Sequence, residues 1–175
     1  MKIGAIGLGN RIAHVYHELS KINQDADLVA FVDPQPIGRH YAERNHFFPP
    51  QEYSSLNEML LNEKLDLLMI GSPNHLHLDH IKIGLNAGIK IFAEKPIVVD
   101  EVQSFELAKL LGEFGQDQVL VGLVLRYSQH ARSVRELINK NVFRNIISIE
   151  ASEHIMPWHG GFFMRNWRRK EKFSG

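Results

Sequence analysis

The sequence contains no cysteine among its 175 residues. A disulfide framework, a thiolate nucleophile and any zinc or iron–sulfur site built on cysteine are therefore excluded. The chain also has no excess of charge, because 20 lysine and arginine residues balance 20 aspartate and glutamate residues. A balanced chain creates no long-range field that would favour nucleic acid or an anionic membrane surface as a partner.

Long hydrophobic runs are missing as well. No apolar run approaches the roughly 20 residues that a membrane span needs, and the first run, Ile3–Ile6, is far too short for a signal peptide. We therefore expect no membrane segment and a reducing, cytoplasmic location. Hydrophobic residues make up 44% of the chain and charged residues 23%, which is typical of a globular protein with a substantial core.

Short apolar segments alternate with helical patterns along the chain. The predicted strands are Ile3–Ile6, Leu28–Val32, Leu67–Ile70, Ile91–Ala93, Val119–Leu125 and Ile146–Glu150. Short all-apolar strands separated by helices indicate a parallel sheet that is covered on both faces. The sequence therefore predicts a doubly wound α/β fold of the Rossmann type.

The helical segments carry recognisable ends. An amphipathic helix runs from Ile12 to Ile22, and a second ends at Gly88. Asp100 and Gln103 resemble a capping box that opens a third helix, which ends near Gly115. A fourth helix is predicted around Val134, Leu137 and Ile138, and loops are expected at 33–39, at 47–55 and from 156 onward.

A glycine turn follows the first strand and opens the first helix: Gly7-Leu8-Gly9-Asn10-Arg11-Ile12. Gly7 permits the tight turn, and Gly9 lets the backbone approach a pyrophosphate at the helix N-terminus, which carries about half a positive charge. Ile12 stands where this motif usually has a third glycine, so we expect helix and strand to lie slightly farther apart. An ordinary strand-to-helix turn is the alternative.

An acidic residue ends the second strand. Asp33 lies 24 residues beyond Gly9, close to where a carboxylate accepts hydrogen bonds from the adenosine ribose of NAD. The same carboxylate would repel the 2′-phosphate of NADP, although nearby Arg39 could offset it. The sequence favours NAD and leaves NADP open. A turn before Pro34 also explains Asp33.

Three further segments stand at the predicted carboxyl ends of strands, where open α/β sheets bind their ligands. They are Ser72-Pro73-Asn74-His75-Leu76-His77, Glu94-Lys95-Pro96 and Arg126-Tyr127. With the glycine turn, they resemble the glucose-fructose oxidoreductase, inositol dehydrogenase and rhizopine catabolism (Gfo/Idh/MocA) family of pyridine-nucleotide sugar oxidoreductases. The resemblance covers the whole chain.

The resemblance implies a role for each of these segments. Ser72, Pro73, Asn74 and His77 would line the nicotinamide half of the cofactor cleft, and Glu94 and Lys95 would lie beside the nicotinamide ribose. Lys95 is the predicted catalytic residue, since oxidation of a hydroxylated carbon needs a group that moves the hydroxyl proton, and a cationic nicotinamide disfavours the ammonium form. A solvated surface lysine is the alternative. Pro96 is a candidate cis proline.

Two later segments also match the family. Arg126 would face the active-site cleft at the crossover into the substrate domain, although Gln129 replaces the proline that often follows. The segment 163–170, with Trp167 and Arg168, resembles one that closes over the cofactor in some members, and a solvated basic turn is the alternative.

The resemblance further implies a domain division, 1–122 for the NAD(P)-binding Rossmann domain and 123–175 for the start of an incomplete α+β substrate domain. Family members continue into a helix with a catalytic histidine, so the chain is expected to be truncated and its own activity is in doubt. The strand Ile146–Glu150 would lack partners, and we expect poor protection after about residue 125. The substrate would be a sugar, inositol or related polyol, and the full-length member a homo-oligomer.

Other functions also fit parts of the sequence. His75, His77 and His80 could suggest a metal site, but no His-Glu-x-x-His helix is present, and we expect no metal. An NAD-dependent glycoside hydrolase of the same family is a second possibility. A non-catalytic dinucleotide-binding module is the third.

Overall fold

A six-stranded parallel sheet forms the centre of the molecule in the computed structural model, which describes residues 1–44 and 50–174. The strands are β1 (Lys2–Ile6), β2 (Asp27–Val32), β3 (Gln51–Glu52), β4 (Leu67–Ile70), β5 (Lys90–Ala93) and β6 (Val119–Val121). Their order is β3-β2-β1-β4-β5-β6, and every neighbouring pair is parallel. Successive strands are added on one side of β1 up to β3 and on its other side from β4 onward, so the strand order reverses between β1 and β4, the point at which such sheets bind dinucleotides. The doubly wound α/β prediction is confirmed.

Helices connect these strands and continue beyond them. They are α1 (Asn10–Ile22), α2 (Ile37–Arg44), α3 (Leu56–Asn62), α4 (His77–Asn86), α5 (Glu101–Phe114), α6 (Gln129–Asn139), α7 (Pro157–Phe163) and α8 (Glu171–Ser174). Short 3₁₀ turns lie at Asn74–Leu76, Gln116–Gln118, Val124–Tyr127 and Asn166–Arg169. None of the described helices combines the length and apolar character needed to cross a membrane.

The core lies on both faces of the sheet because successive strand residues point to opposite sides. Leu68 and Ile70 of β4 pack with residues of α3, α4 and α5, whereas Met69 packs on the other face with α1. Ile91 and Ala93 continue the first cluster and Phe31 the second. The short all-apolar runs predicted strands that are apolar on both faces, and the structure contains such strands.

The predicted helix ends at Gly88 and Asp100 are confirmed. Gly88 has a φ of +72°, and the amide of Ile89 donates to the carbonyl of Gly84, which closes the end of α4. Asp100 accepts from the amide of Gln103 at 2.8 Å, and Gln103 accepts from the amide of Val99 at 3.1 Å. Asp100 thus caps α5 as in a capping box, except that the Gln103 side chain accepts from the amide of Val99 and not from that of Asp100.

The predicted strand at Ile146–Glu150 is wrong. The segment has no strand partner, and Ile147 and Ile149 are 97% and 78% exposed. An apolar run becomes a strand only where a neighbour supplies hydrogen bonds, and none of the described strands lies beside it. The run Val119–Leu125 is likewise a strand only as far as Val121, after which the backbone turns into the 3₁₀ turn Val124–Tyr127.

Three segments expected to be loops contain structure. Helix α2 begins at Ile37, strand β3 lies within 47–55, and the tail beyond 156 forms α7 and α8. Part of the second loop, residues 45–49, lies outside the described residues. Helix α3 was not predicted, although Ser55 accepts from the amide of Glu58, a capping signature that the sequence displays.

Candidate functional site

The glycine turn has the geometry that a phosphate group needs. Gly7 has a φ of +84° and donates its amide to the carbonyl of Val32 at 2.8 Å. A Cβ at this position would collide with the backbone of Gly71 and Ser72. Gly9 caps α1 with no side-chain hydrogen bond, and a Cβ on it would meet nothing within 4 Å. The amide donors of α1 therefore face open space beside an uncapped helix N-terminus.

The missing third glycine is compensated elsewhere in the sheet. Ile12 is 1% exposed, and a Cβ on Gly71, directly after β4, would collide with the Ile12 side chain. The small residue thus stands on the neighbouring strand end rather than on the helix. Gly71 was not predicted as a site residue, although a glycine immediately after an apolar strand was a visible signal.

A cleft of about 1140 Å³ opens at the carboxyl ends of the strands. Most predicted site residues line it: Gly9, Arg11, Ile12, Ser72, Asn74, His77, Glu94, Lys95, Arg126, Trp167 and Arg168. Segments that are distant in the sequence therefore share one cavity, as expected for the switch point of an open α/β sheet.

Five predicted residues do not line the cleft: Gly7, Leu8, Asn10, Asp33 and Pro73. Gly7 contributes through its backbone, whose positive φ makes the turn tight. Leu8 is fully buried in the core on the α1 face, so it offers a ligand only its backbone. Asn10 is exposed at the start of α1, and Pro73 precedes the 3₁₀ turn Asn74–Leu76.

An ion pair joins the glycine turn to the end of β5. Nε of Arg11 lies 2.9 Å from Oε1 of Glu94, and Glu94 is 8% exposed. The Glu94 side chain also packs against Gly122, where a Cβ would lie 2.9 Å from Oε1. A charge-assisted hydrogen bond of this kind holds both side chains in one arrangement.

Histidines organise the turn after β4. Nε2 of His77 lies 2.8 Å from the carbonyl oxygen of Ser72, and Nδ1 lies 2.8 Å from the carbonyl oxygen of Pro96. The Ser72 hydroxyl lies 2.9 Å from Nδ1 of His80. Burial, and secondarily the charge of His77, lowers the pKa of His80 to about 4.

Lys95 is exposed on the wall of the cleft. Its ammonium nitrogen lies 5.9 Å from the centre of the Phe163 ring, and its peptide bond to Pro96 is cis. In the part of the chain that the structure describes, no carboxylate lies within 4 Å of this ammonium group. Lys95 is thus available to a bound ligand.

The tail forms the opposite wall of the cleft. The guanidinium carbon of Arg168 lies 4.3 Å from the centre of the Trp167 ring, and burial lowers the pKa of Arg168. Asn74 donates to the carbonyl of Ser174 at 3.2 Å, and the His75 and Phe173 rings lie 4.6 Å apart. Further tail residues line the cleft that were not predicted: Glu153, His154, Ile155, Met156, His159 and Phe163.

Asp33 and Arg39 lie near the end of β2, outside the cleft. Oδ1 of Asp33 accepts from the amide of Gln35 at 2.8 Å, the contact expected of a carboxylate that starts a turn before Pro34. Nε of Arg39 lies 3.2 Å from Oε1 of Glu43, and its Nη1 lies 3.6 Å from Oε2 of Glu52. The Arg39 charge is therefore already engaged by two carboxylates.

Across residues 1–44 and 50–174, no three histidine, aspartate or glutamate side chains form a group that could hold a metal ion. His77 and His80 instead hydrogen-bond to the segments after β4 and β5, His77 to the carbonyl oxygens of Ser72 and Pro96 and His80 to the Ser72 hydroxyl.

Comparison with protein families decides which family this arrangement represents. The family model for the Gfo/Idh/MocA oxidoreductases, described as an oxidoreductase family with an NAD-binding Rossmann fold, matches residues 1–123. The chain belongs to this family. The resemblance inferred from the strand-end motifs is confirmed.

Individual relatives of this Gfo/Idh/MocA chain agree with the assignment. Inositol 2-dehydrogenase from Corynebacterium glutamicum (strain R) is 21% identical over 79% of this chain and 41% of its own length. Myo-inositol 2-dehydrogenase from Lactobacillus plantarum superposes with a TM-score of 0.72 at 24% identity, covering 84% of this chain and 43% of that one.

The WlbA dehydrogenase from Bordetella pertussis, solved with NADH and UDP-GlcNAcA, superposes with a TM-score of 0.77 at 21% identity. The match covers all of this chain and 53% of that one. At these identities the structural likeness shows the fold. The chain spans 40% to 47% of the length of the curated relatives that it matches.

Proposed function

We propose that the chain binds NAD(H) and forms the nicotinamide side of an oxidoreductase site for a sugar, inositol or related polyol. One observation carries this proposal: the uncapped N-terminus of α1 and the Glu94–Lys95 segment face the same 1140 Å³ cleft. A dinucleotide needs an anion-binding end and a reactive end within one cavity. The donor set fits the cofactor, because the open space beside Gly9 is what a pyrophosphate would fill.

The residues of the cleft and Asp33 beside it each have a role in this proposal. The amides after Gly9 bind the pyrophosphate, and Asp33 accepts hydrogen bonds from the adenosine ribose. Glu94, held by Arg11, accepts from the nicotinamide ribose. A nicotinamide held at this end of the cleft would supply the hydride acceptor or donor. Lys95 in its neutral form accepts the hydroxyl proton as the carbon–oxygen single bond becomes a carbonyl, and returns it in the reverse direction.

The cofactor preference follows from charge. The Asp33 carboxylate would repel a 2′-phosphate, and Arg39 is held by Glu43 and Glu52 rather than free to neutralise that repulsion. NADH should therefore bind more tightly than NADPH.

A titration of the whole chain with NADH and NADPH, followed by nicotinamide fluorescence, tests the proposal. Gly9→Asp places a carboxylate in the open space at the α1 N-terminus and should weaken NADH binding by at least about tenfold, or 1.4 kcal/mol. Gly112→Asp is the matched control, because a Cβ on Gly112 in α5 also meets nothing within 4 Å. Equal binding by both variants would refute the phosphate site.

Added substrates separate the three functions. A polyol that reduces free NAD in the presence of the wild-type chain, but not of Lys95→Met, supports a dehydrogenase. Cleavage of a glycoside with no net consumption of NAD would favour the hydrolase. Binding of NADH without any turnover would favour a non-catalytic module.

A further inference from the structure

His77 occupies an unusual position between two of the loops that form the cleft. It begins α4 and is 1% exposed. One ring nitrogen lies 2.8 Å from the carbonyl oxygen of Ser72, which follows β4, and the other lies 2.8 Å from the carbonyl oxygen of Pro96, which follows β5. The ring therefore bridges the loops after two adjacent strands.

Both of its partners are backbone carbonyl oxygens, which accept hydrogen bonds and cannot donate them. A neutral imidazole carries one N–H group, so it would satisfy one carbonyl and turn a nitrogen lone pair toward the other. In a buried site this leaves two acceptors facing each other without a hydrogen. Only the imidazolium form, with two N–H groups, donates to both oxygens.

The geometry points to His77 as a positioning residue that, as a doubly donating imidazolium, fastens the Lys95–Pro96 turn to the Ser72 turn. The ring nitrogens of His77 are both directed at the backbone, so they are not available to hydrogen-bond the cofactor. His77 acts through Lys95: it determines where the backbone that carries the lysine lies relative to the glycine turn. Its value for catalysis rests on the proposed function of Lys95.

The surroundings of the ring agree with this assignment. His80, which shares Ser72 with His77, is kept neutral at ordinary pH by burial, by His77 and by His75, against the opposite influence of Asp79. The two residues that precede Pro96 are both charged. Lys95 is exposed, and Glu94 is paired with Arg11. The two histidines thus contact different atoms of one serine, His77 its carbonyl oxygen and His80 its hydroxyl group.

The protonation state can be observed directly in the wild-type chain. We would label histidine with ¹⁵N and ¹³C, assign the His77 ring through its side-chain carbons, and record long-range ¹H–¹⁵N spectra at pH 7. We expect both His77 nitrogens to show the protonated pattern and slow hydrogen exchange, while His80 shows the neutral pattern. A spectrum that shows one protonated and one unprotonated ring nitrogen on His77 would overturn the proposal.

The positioning role is tested by His77→Gln, whose single amide nitrogen cannot span both carbonyls. The lysines are labelled as ¹³C-dimethyl derivatives, and the Lys95 signal is compared with that of wild type. We expect a shifted Lys95 signal and NADH binding weakened by at least fivefold, whereas His130→Gln on the exposed face of α6 should change neither.

An unshifted Lys95 signal in a folded His77→Gln chain would overturn the positioning role. If His77→Gln does not fold, the wild-type ring spectrum still decides the proposal. If wild-type NADH binding is absent, the proposed function fails, while the ring spectrum and the Lys95 signal still report on the bridge.

Discussion

Glu94 is the side chain on which several parts of the cleft converge. It is 8% exposed, pairs with Arg11 at 2.9 Å, packs against Gly122 and lies next to Lys95 in the chain. A carboxylate this buried is stable only with a partner, since desolvation alone would disfavour its charge. The Arg11 contact therefore couples the phosphate end of the cleft to the nicotinamide end.

This coupling can be measured with a double-mutant cycle. We expect Glu94→Gln and Arg11→Met to show a coupling free energy of about 1–2 kcal/mol in urea unfolding, because the pair is partly shielded from water. The control is the exposed pair Glu18–Lys21, with a 2.8 Å contact, for which Glu18→Gln and Lys21→Met should couple by about 0.5 kcal/mol or less. Equal coupling in the two cycles would contradict the proposed importance of Glu94.

His80 makes stability depend on pH. Its pKa is about 4 in the folded chain and about 6.5 when unfolded, so the unfolded chain binds more protons between these values. Stability should therefore fall as the pH drops from 6.5 toward 4. Allowing for solvent screening of the partly exposed ring, we expect His80 to lower the free energy of unfolding by about 1–2 kcal/mol at pH 5 relative to pH 7.

Urea unfolding at pH 7 and pH 5 measures this effect. His80→Asn keeps a polar atom near the Ser72 hydroxyl but cannot take up a proton, so its loss of stability between the two pH values should be smaller than that of wild type. The His40→Asn variant, at an exposed position in α2, should behave like wild type. If the His80→Asn chain lost as much stability between pH 7 and pH 5 as wild type does, the acid sensitivity would be caused by other groups.

At the scale of elements, the site depends on how closely α1 approaches the end of β4. Ile12 fills the space that a glycine at the third motif position would leave, and Gly71 accommodates it. The close approach of helix and strand is thus shared between two elements. The prediction that Ile12 keeps helix and strand slightly farther apart did not include this contact with Gly71.

Gly71→Ala should destabilise the chain by about 1–3 kcal/mol, because its methyl group collides with Ile12 and lies 2.9 Å from the carbonyl oxygen of Gly7. The double variant Gly71→Ala with Ile12→Ala should lose less stability than the sum of the single variants. Gly112→Ala is the control and should stabilise α5 by about 0.5–1 kcal/mol. Strict additivity at positions 12 and 71 would contradict the compensation.

At the scale of the whole molecule, the core is confined to the sheet and its covering helices. Every residue of both core clusters lies between Ile3 and Leu107, whereas residues 132–159 are all exposed. Burial and inter-strand hydrogen bonds are what slow the opening of the backbone. Packing therefore differs between the sheet with its helices and residues 132–159, whereas the division at residue 122 stays a prediction.

Hydrogen exchange should show this difference. We expect amides of β1, β4 and β5 to exchange slowly and those of 140–156 to exchange within the first time points, because the latter lack both burial and strand partners. Mass spectrometry of peptic fragments makes the comparison within one sample. Protection of 140–156 equal to that of the central strands would contradict the prediction.

Local pattern was enough to predict much of this protein. The alternation of apolar runs and helices indicated the parallel sheet, the Asp100–Gln103 pair indicated a helix start, and motifs at strand ends indicated a shared cleft and a family. These features depend on residues close together in the chain, where backbone geometry and side-chain periodicity control the outcome.

Contacts between residues that are distant in the chain could not be predicted from local sequence pattern. Arg11 and Glu94 are 83 residues apart, and they meet because β1 and β5 lie on either side of β4. The pairing of Ile12 with Gly71, the two carbonyls around His77 and the absence of a strand at 146–150 also depend on which elements become neighbours. Tertiary packing makes these choices, since a side chain's partner depends on sheet order and not on its distance along the chain.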